Sequence, residues 1–333
     1  MRSTKVSTRT AIGTWRYIGQ RTIQTVIIWF AIITLNFIIF RVMPGDPRAA
    51  LLGEGLSPAL RVQIVERFGL DKPLLEQYVL YLVNLFHGDM GYSFSHFGEP
   101  VWKTLFDFRF KNTFILMGSS LIVSIIIGMF FGVLAASRRD SIVDTGSTVV
   151  FLVAYAMPVF WIGILILYFF GFELNLIPLF GTISQVHDNA FLYMLDYLHH
   201  MTGPFIVLTL SFIGGFYLIM RDTVLDVFTQ DYILAAKAKG LKERTILYGH
   251  AMRNAMLPMV SVIAVNVPYL VSGAMMTEYV FSWSGLGLLT YNSVLSADYP
   301  VLQAVFLFLA TLTLLANFVA DILYLYLDPR IRY

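Results

Sequence analysis

The chain has 333 residues, of which 57% are apolar, 15% aromatic and 13% charged, with a mean hydropathy of +0.71; soluble domains carry about 25% charged residues, so a water-soluble globular protein is excluded. Its 23 basic and 21 acidic residues leave a net charge of +2, too little for a global pull toward nucleic acid. There is no cysteine, which excludes a disulfide framework, thiolate catalysis and sulfur-ligated zinc.

Met1–Arg21 is polar and carries Arg2, Lys5, Arg9, Arg16 and Arg21. The first apolar run, Thr22–Phe40, ends in Arg41-Val42-Met43-Pro44 without a small-residue cleavage pattern, so it reads as a retained first span and not a signal peptide. Within the arm, Ala11–Gln20 with Trp15 and Tyr17 suits a helix lying in the membrane interface. Five further charge-free runs follow: Asn112–Ser137, Thr145–Phe172, Met201–Met220, Asn254–Thr277 and Tyr299–Ala320. At about 1.5 Å per residue, roughly 20 helical residues cross a hydrocarbon core of about 30 Å. The expectation is therefore an all-α integral membrane protein with six transmembrane helices.

Segment 41–111 is too patterned for a linker. Ser57 can cap a helix with Pro58 at its first position, Leu60, Ile64, Val65 and Phe68 form an apolar stripe, and Gly69 supplies the stop. A second helix is expected from Pro73 to about Phe86, ending near Gly88. This small helical external segment suits either a structural cover or a docking face. In the second run, Gly128 and Gly132 read as close helix packing.

Lysine and arginine set the orientation. The 138–139 connection holds Arg138 and Arg139, the 221–253 connection holds Arg221, Lys237, Lys239, Lys242, Arg244 and Arg253, and the tail holds Arg330 and Arg332, whereas 173–200 and 278–298 hold none. Both termini are expected to be cytoplasmic. The expected organisation is 1–111 (arm, first span, external segment), 112–326 (five spans, with the connection 221–253) and 327–333 (cytoplasmic tail).

Candidate functional residues concentrate in that connection. Asp231 can cap a short helix, Lys237 and Lys239 sit where the helix dipole favours cations, and Gly240 can take a left-handed terminal conformation. Ala235 and Ala236 leave one side nearly flat, so another protein's surface can approach. Leu241–Met252 reads as a second helical stretch before Leu257-Pro258 opens the fifth span. Asn266 and Pro268 are candidate pathway residues, because proline removes a backbone hydrogen bond and the amide would face either a polar path or a neighbouring helix. Tyr155 and Pro158 complete that set. His187, His199 and His200 share one connection without metal-type spacing and read as a solvated loop, so no metal is expected.

The stretch Leu234-Ala235-Ala236, three residues, Gly240, then Leu257-Pro258, resembles the cytoplasmic loop of ABC importer permeases, although Leu234 replaces the family's glutamate. His250-Ala251-Met252-Arg253-Asn254-Ala255-Met256-Leu257-Pro258 is similar to the dipeptide/oligopeptide branch. So are Met43–Pro47, Gly88–Ser93, Met157–Gly163, Phe281–Gly287, Asp298-Tyr299-Pro300 and Leu327–Tyr333. The resemblance implies a type I ABC importer permease fold. It also implies a second homologous permease, two ATP-binding subunits that hold ATP and Mg, an extracytoplasmic substrate-binding protein and surrounding membrane lipid as partners, with no nucleic acid. Asp231, Ala235, Ala236, Lys239, Gly240 and Leu241 would then form the ATPase-coupling contact. Di- or oligopeptides are the implied cargo, with oligosaccharides or nickel as the alternative.

No Gly-x-x-x-x-Gly-Lys-Ser/Thr loop occurs, so no cofactor is expected in this chain, and no catalytic role, since the common hydrolase signatures are also missing. An ion-coupled secondary transporter would need ionisable groups at membrane depth, but Asp321 and Glu278 lie toward the ends of their runs.

Overall fold

The structure is a computed structural model that describes residues 4–42, 59, 62, 65–66, 69, 71–96, 98–266 and 274–327. In chain order its helices are α1 (Thr4–Val42), α2 (Leu74–Phe86), α3 (Val101–Phe106), α4 (Arg109–Ser137), α5 (Ile142–Ala156) and α6 (Val159–Ile166), followed by α7 (Ala190–Phe228), α8 (Asp231–Ala238), α9 (Glu243–Thr245), α10 (Met252–Asn266), α11 (Met275–Val280), α12 (Leu286–Leu295) and α13 (Tyr299–Leu327). Wide π-helical turns extend α6 over Leu167–Glu173 and join α9 to α10 over Ile246–Ala251. Among the described residues there is no strand, only an isolated bridge between Tyr92 and Pro100.

Among the described residues, four helices are long and apolar enough to cross a membrane: Arg16–Arg41, Val101–Ser137, Ala190–Phe228 and Tyr299–Ile322. The bent pair Ile142–Ala156 and Val159–Glu173 makes a fifth candidate. Of the expected run Asn254–Thr277, residues 267–273 lie outside the described residues, and so do most of the expected helix between Ser57 and Gly69 and the tail from Asp328 onward.

Three expectations are corrected. The interfacial helix at Ala11–Gln20 is not separate from the first span, because α1 runs unbroken for 39 residues, about 58 Å of helix; nothing between Gln20 and Thr22 breaks the hydrogen-bond ladder. The third run is not one straight span, because α5 and α6 meet at 102°. Pro158 lacks an N–H and forces its predecessor out of the helical region, and Met157 accordingly sits at φ −74°, ψ 138°. Leu257-Pro258 does not open a span, because Pro258 lies inside α10.

The chain divides into two compact units. The first comprises residues 1–113, 271–275 and 284–333. There α1 packs along α13 through polar rungs: Trp29 Nε1 donates to Thr311 Oγ1 (3.0 Å), Asn36 Nδ2 to the Gln303 carbonyl (2.9 Å), and Arg21 pairs with Asp321 (3.3 Å). The hydroxyls of Thr34 and Tyr78 bond α1 to α2 (2.7 Å), and the Phe37 ring packs at a tilt against those of Tyr78 and Tyr81. α2 begins after Pro73 and stops before Gly88, whose φ of +77° turns the chain, as the sequence pattern anticipates. Val101, Leu105, Leu286, Leu289, Val301 and Val305 form the core. Two of the motifs that carried the family resemblance meet in this unit: the fully buried Asp298 Oδ2 accepts from Ser93 Oγ (2.5 Å), Ser95 N (2.9 Å) and Ser95 Oγ (2.6 Å).

The second unit comprises residues 114–270 and 276–283. Here α4 lies directly on α7. A Cβ at Gly128 would come within 2.8 Å of the Phe216 Cβ, and one at Gly132 within 2.8 Å of the Tyr217 carbonyl, so both glycines are packing residues as expected. On the far side of α7, a Cβ at Gly214 would meet the Phe151 carbonyl of α5 at 2.5 Å. Tyr217 is fully buried and shares its hydroxyl with Ser147 (2.9 Å) and Thr148 (2.7 Å). Phe281 and Trp283 are buried in this unit, the Phe281 ring against Gly203 of α7 and near Gly163 of α6, and the Trp283 ring 5.1 Å from that of Tyr197.

Candidate coupling segment and pathway helices

α7 delivers the chain into the 221–253 connection through an ion pair that the sequence did not reveal. Arg221 Nε and NH2 donate to the two oxygens of Asp144 at 2.6 and 3.0 Å, and Arg221 NH1 reaches Asp222 at 3.0 Å. Asp144 stands in the first turn of α5, where a carboxylate complements the dipole, and the Asp140 N–H donates to it as well (3.0 Å). A fork-to-fork pair of this kind fixes orientation as well as distance.

Beyond it, α8 is held from one side. Ile233 and Ala236 are buried against Ile246 and Ala251, with Val227 and Phe228 packed over them. Lys237, in the last turn, lies over the Phe228 ring (5.9 Å), and Tyr232 Oη accepts from Asn254 Nδ2 (2.7 Å), tying α8 to α10. Asp231 is not the N-cap: Gln230 occupies that position without a side-chain bond, and Asp231 contributes its charge to the first turn. Gly240 has φ +76°, a backbone state that favours glycine, with nothing within 4 Å of where a Cβ would stand.

The six residues expected to make the coupling contact therefore separate. Asp231, Ala235, Lys239, Gly240 and Leu241 are exposed, whereas Ala236 faces inward. Sequence reasoning missed two others on the open side: Leu234 is 55% exposed and Tyr232 42%. An apolar residue in a short polar connection was the available signal. Beside α8 opens a cavity of about 700 Å³ whose lining includes Arg138, Arg139, Lys237 and Arg244 opposed by Glu243. Residues Leu247, Ala255 and Met259 continue from this connection into the buried cluster with Val133, Phe216 and Met220 of α4 and α7, so a push on α8 has a packed route into the helices.

Of the pathway candidates, Tyr155 lies in the last turn of α5 and is 55% exposed, and Pro158 sits at the bend. Asn266 Nδ2 donates to the carbonyl of Val262 in its own helix (2.8 Å). Pro268 lies outside the described residues. Tyr155 and Pro158 flank the same bend.

The histidine connection is more ordered than a solvated loop. Asp196 accepts from Ser184 N (2.8 Å) and Ser184 Oγ (3.1 Å) and lies 2.9 Å from His187 Nε2 and 3.0 Å from His200 Nδ1, with His200 buried. This is a hydrogen-bonded knot. Among the described residues no group of three His, Cys, Asp or Glu could hold a metal ion.

Comparison with known proteins adds the identity of this architecture. Residues 128–333 match the model of the binding-protein-dependent transport system inner membrane component, and residues 14–118 match the model of the corresponding N-terminal membrane component. The oligopeptide transport system permease protein AppB of Bacillus subtilis is 37% identical over 95% of this chain and 99% of its own length. The di/tripeptide permease protein DppB of Pseudomonas aeruginosa is 34% identical over 95% and 98%, and the dipeptide permease protein DppB of Escherichia coli 36% over 92% and 95%. Among solved structures, the inward-facing MetNI methionine ABC transporter superposes with a TM-score of 0.51 at 17% identity, covering 65% of this chain and 93% of that one, a likeness of fold.

Proposed function

The chain belongs to the family of binding-protein-dependent transport system inner membrane components, and from that premise we propose that it is a permease subunit of an ATP-driven importer that carries peptides. It is a multi-pass membrane protein with several apolar helices. The observation that carries the cargo is the near full-length identity of 34–37% to proteins named as peptide permeases, which favours peptides over oligosaccharides or nickel.

In this reading ATP is hydrolysed by separate subunits, since the chain has no phosphate loop, and the import path is completed by a second permease fed by an external binding protein. The lysine and arginine bias supports cytoplasmic termini and a cytoplasmic α8. The open face of α8, with Tyr232, Leu234, Ala235 and Leu241 beside Gly240, supplies the ATPase contact, and the buried side, Ile233 and Ala236, carries its displacement to the π-helical turn Ile246–Ala251. The ion pair Asp144–Arg221 keeps α5 and α7 moving as one body, a rigid-body switch being the economical way to alternate access.

The test is reconstitution of the chain with its co-purifying subunits and measurement of peptide uptake against ATP hydrolysis. Leu234→Glu places a charge on the exposed face without touching the core. Uptake is expected to fall at least about tenfold, the loss typical of an interface anchor, with the chain still inserted. Normal uptake by this variant would remove the coupling role of α8, and uptake driven by an ion gradient without ATP would overturn the importer reading itself.

A further inference from the structure

The short helix α2 runs down the side of α1. Near its start the Tyr78 hydroxyl bonds that of Thr34 (2.7 Å), and the Tyr78 and Tyr81 rings lie 5.2 and 5.5 Å from that of Phe37. At its last residue the Phe86 ring lies 6.0 Å from Trp29 and 6.4 Å from Phe30. The contacts on α1 thus shift by about six residues, about 9 Å along its axis, as α2 advances by about 12 Å from Tyr78 to Phe86. Trp29 bonds Thr311 in the interior of α13, so this level lies well inside the α1–α13 pair. Counted from Arg41, where the charge-free run Thr22–Phe40 ends, Phe30 is about 16 Å along the helix, about half of a hydrocarbon core of about 30 Å. By Ser93 the chain is back at the Arg41 end: its hydroxyl bonds Asp298, immediately before α13, whose Phe306 packs on Phe40 (5.9 Å).

What α2 turns outward fits that depth. Leu75 (76% exposed), Val79 (52%), Val83 (46%) and Phe86 (60%) recur every three or four residues and make one apolar stripe. Phe86 meets Phe30, itself 42% exposed on the span, so the stripe continues the surface that α1 presents to lipid. The backbone beyond α2 is satisfied without water, as hydrocarbon demands. The His87 N–H donates to the Val83 carbonyl (3.2 Å), Gly88 to Leu85 (3.0 Å), Asp89 to Asn84 (2.9 Å) and Gly91 to Asp89 Oδ1 (3.0 Å). The His87 ring folds Nδ1 onto the Val83 carbonyl as well (2.7 Å). The exposed charged residues beside α2, Asp71, Lys72 and Glu76, stand at its start, the shallow end. We propose that α2 is a re-entrant helix: it dips into the half of the bilayer next to Arg41, turns at Gly88 (φ +77°) and returns, with its Leu75–Phe86 stripe against phospholipid acyl chains. The segment read from sequence as an external cap is then in part a membrane element. This inference uses only the span α1 and is independent of cargo and energy source.

The chain has no cysteine, so each single-cysteine variant carries one spin label. The full chain, with the subunits that co-purify, is placed in lipid nanodiscs, and power saturation measures how often each label collides with dissolved oxygen and with a polar nickel chelate. Hydrocarbon concentrates oxygen and excludes the chelate. Ile27→Cys, at an exposed position of α1, gives the lipid value, and Lys72→Cys the water value. The ratio of oxygen to chelate collisions is expected to rise from Val79→Cys through Val83→Cys to Phe86→Cys. At Val83 it should exceed the Lys72 value several-fold and approach that of Ile27. Chelate collisions at Val83 and Phe86 as frequent as at Lys72 put α2 in water and overturn the proposal. Exclusion of both reagents means that another protein covers the stripe, which overturns it too. Should Phe86→Cys, which loses the ring contacts to Trp29 and Phe30, fail to fold, Val79→Cys and Val83→Cys decide between the same outcomes.

Discussion

Both units bond their helices through side chains, in the second Tyr217 to Ser147 and Thr148, and the second adds close backbone contacts at glycine. The first joins α1 to α13 with side-chain hydrogen bonds, Trp29 to Thr311 and Asn36 to the Gln303 carbonyl. The second brings α4, α5 and α7 together at Gly128, Gly132 and Gly214, where backbones approach too closely for any side chain, and adds the bidentate pair Asp144–Arg221. In lipid, apolar faces gain little from meeting one another, so association rests on hydrogen bonds or on close van der Waals contact. One polar rung adds little and tolerates adjustment, whereas a glycine contact works only at one separation. The close-packed unit is the one that contains α8, which suits a body that must move without deforming.

The sharpest way to break that unit is to remove the cation. Arg221→Leu leaves Asp144, 4% exposed at its side chain, without its partner, and should cost about 3 kcal/mol by thermal unfolding of the detergent-solubilised chain. Adding Asp144→Leu should restore much of that loss, and a double variant as unstable as the single one would deny the pairing. Overpacking comes next: Gly132→Leu should cost about 1–3 kcal/mol, whereas Gly146→Ala, with nothing within 4 Å of the new Cβ, should be neutral or slightly stabilising in the same assay. A polar rung weighs less, and Trp29→Phe, which keeps a ring and loses the bond to Thr311, should cost about 0.6 kcal/mol. If Trp29→Phe proves as damaging as Gly132→Leu, the contrast between the units fails. Smallest of all, Leu234→Ser should change stability by less than about 0.5 kcal/mol, because the side chain already faces outward, while peptide uptake falls.

The sequence made these features legible in proportion to how local they are. Pro73 and Gly88 bound α2, Gly240 takes its left-handed turn, and the Gly128–Gly132 spacing marks a helix contact, each from a few neighbouring residues. The bend at Met157-Pro158 was missed because hydropathy reads straight through a proline flanked by apolar residues, although the proline itself carried the signal. The inward turn of Ala236 depends on which side Ile246 and Ala251 approach α8 from, which spacing within α8 alone leaves open. Asp144 and Arg221 lie 77 positions apart and Ser93 and Asp298 205, so no local pattern joins them. They become pairs only when the helices that carry them pack.

The wide turn at Ile246–Ala251 has a consequence for the chain's length. A π-helical turn accommodates one residue more than the ordinary pitch, so everything downstream is rotated by about 100° relative to a regular helix. Ala255 and Met259, both fully buried, owe their angular address to that extra residue, and so does Asn254 in its bond to Tyr232. Deleting one residue from the turn would leave every side chain of α10 chemically intact and aim each of them at the wrong neighbour, so this short stretch sets a phase that no substitution can restore.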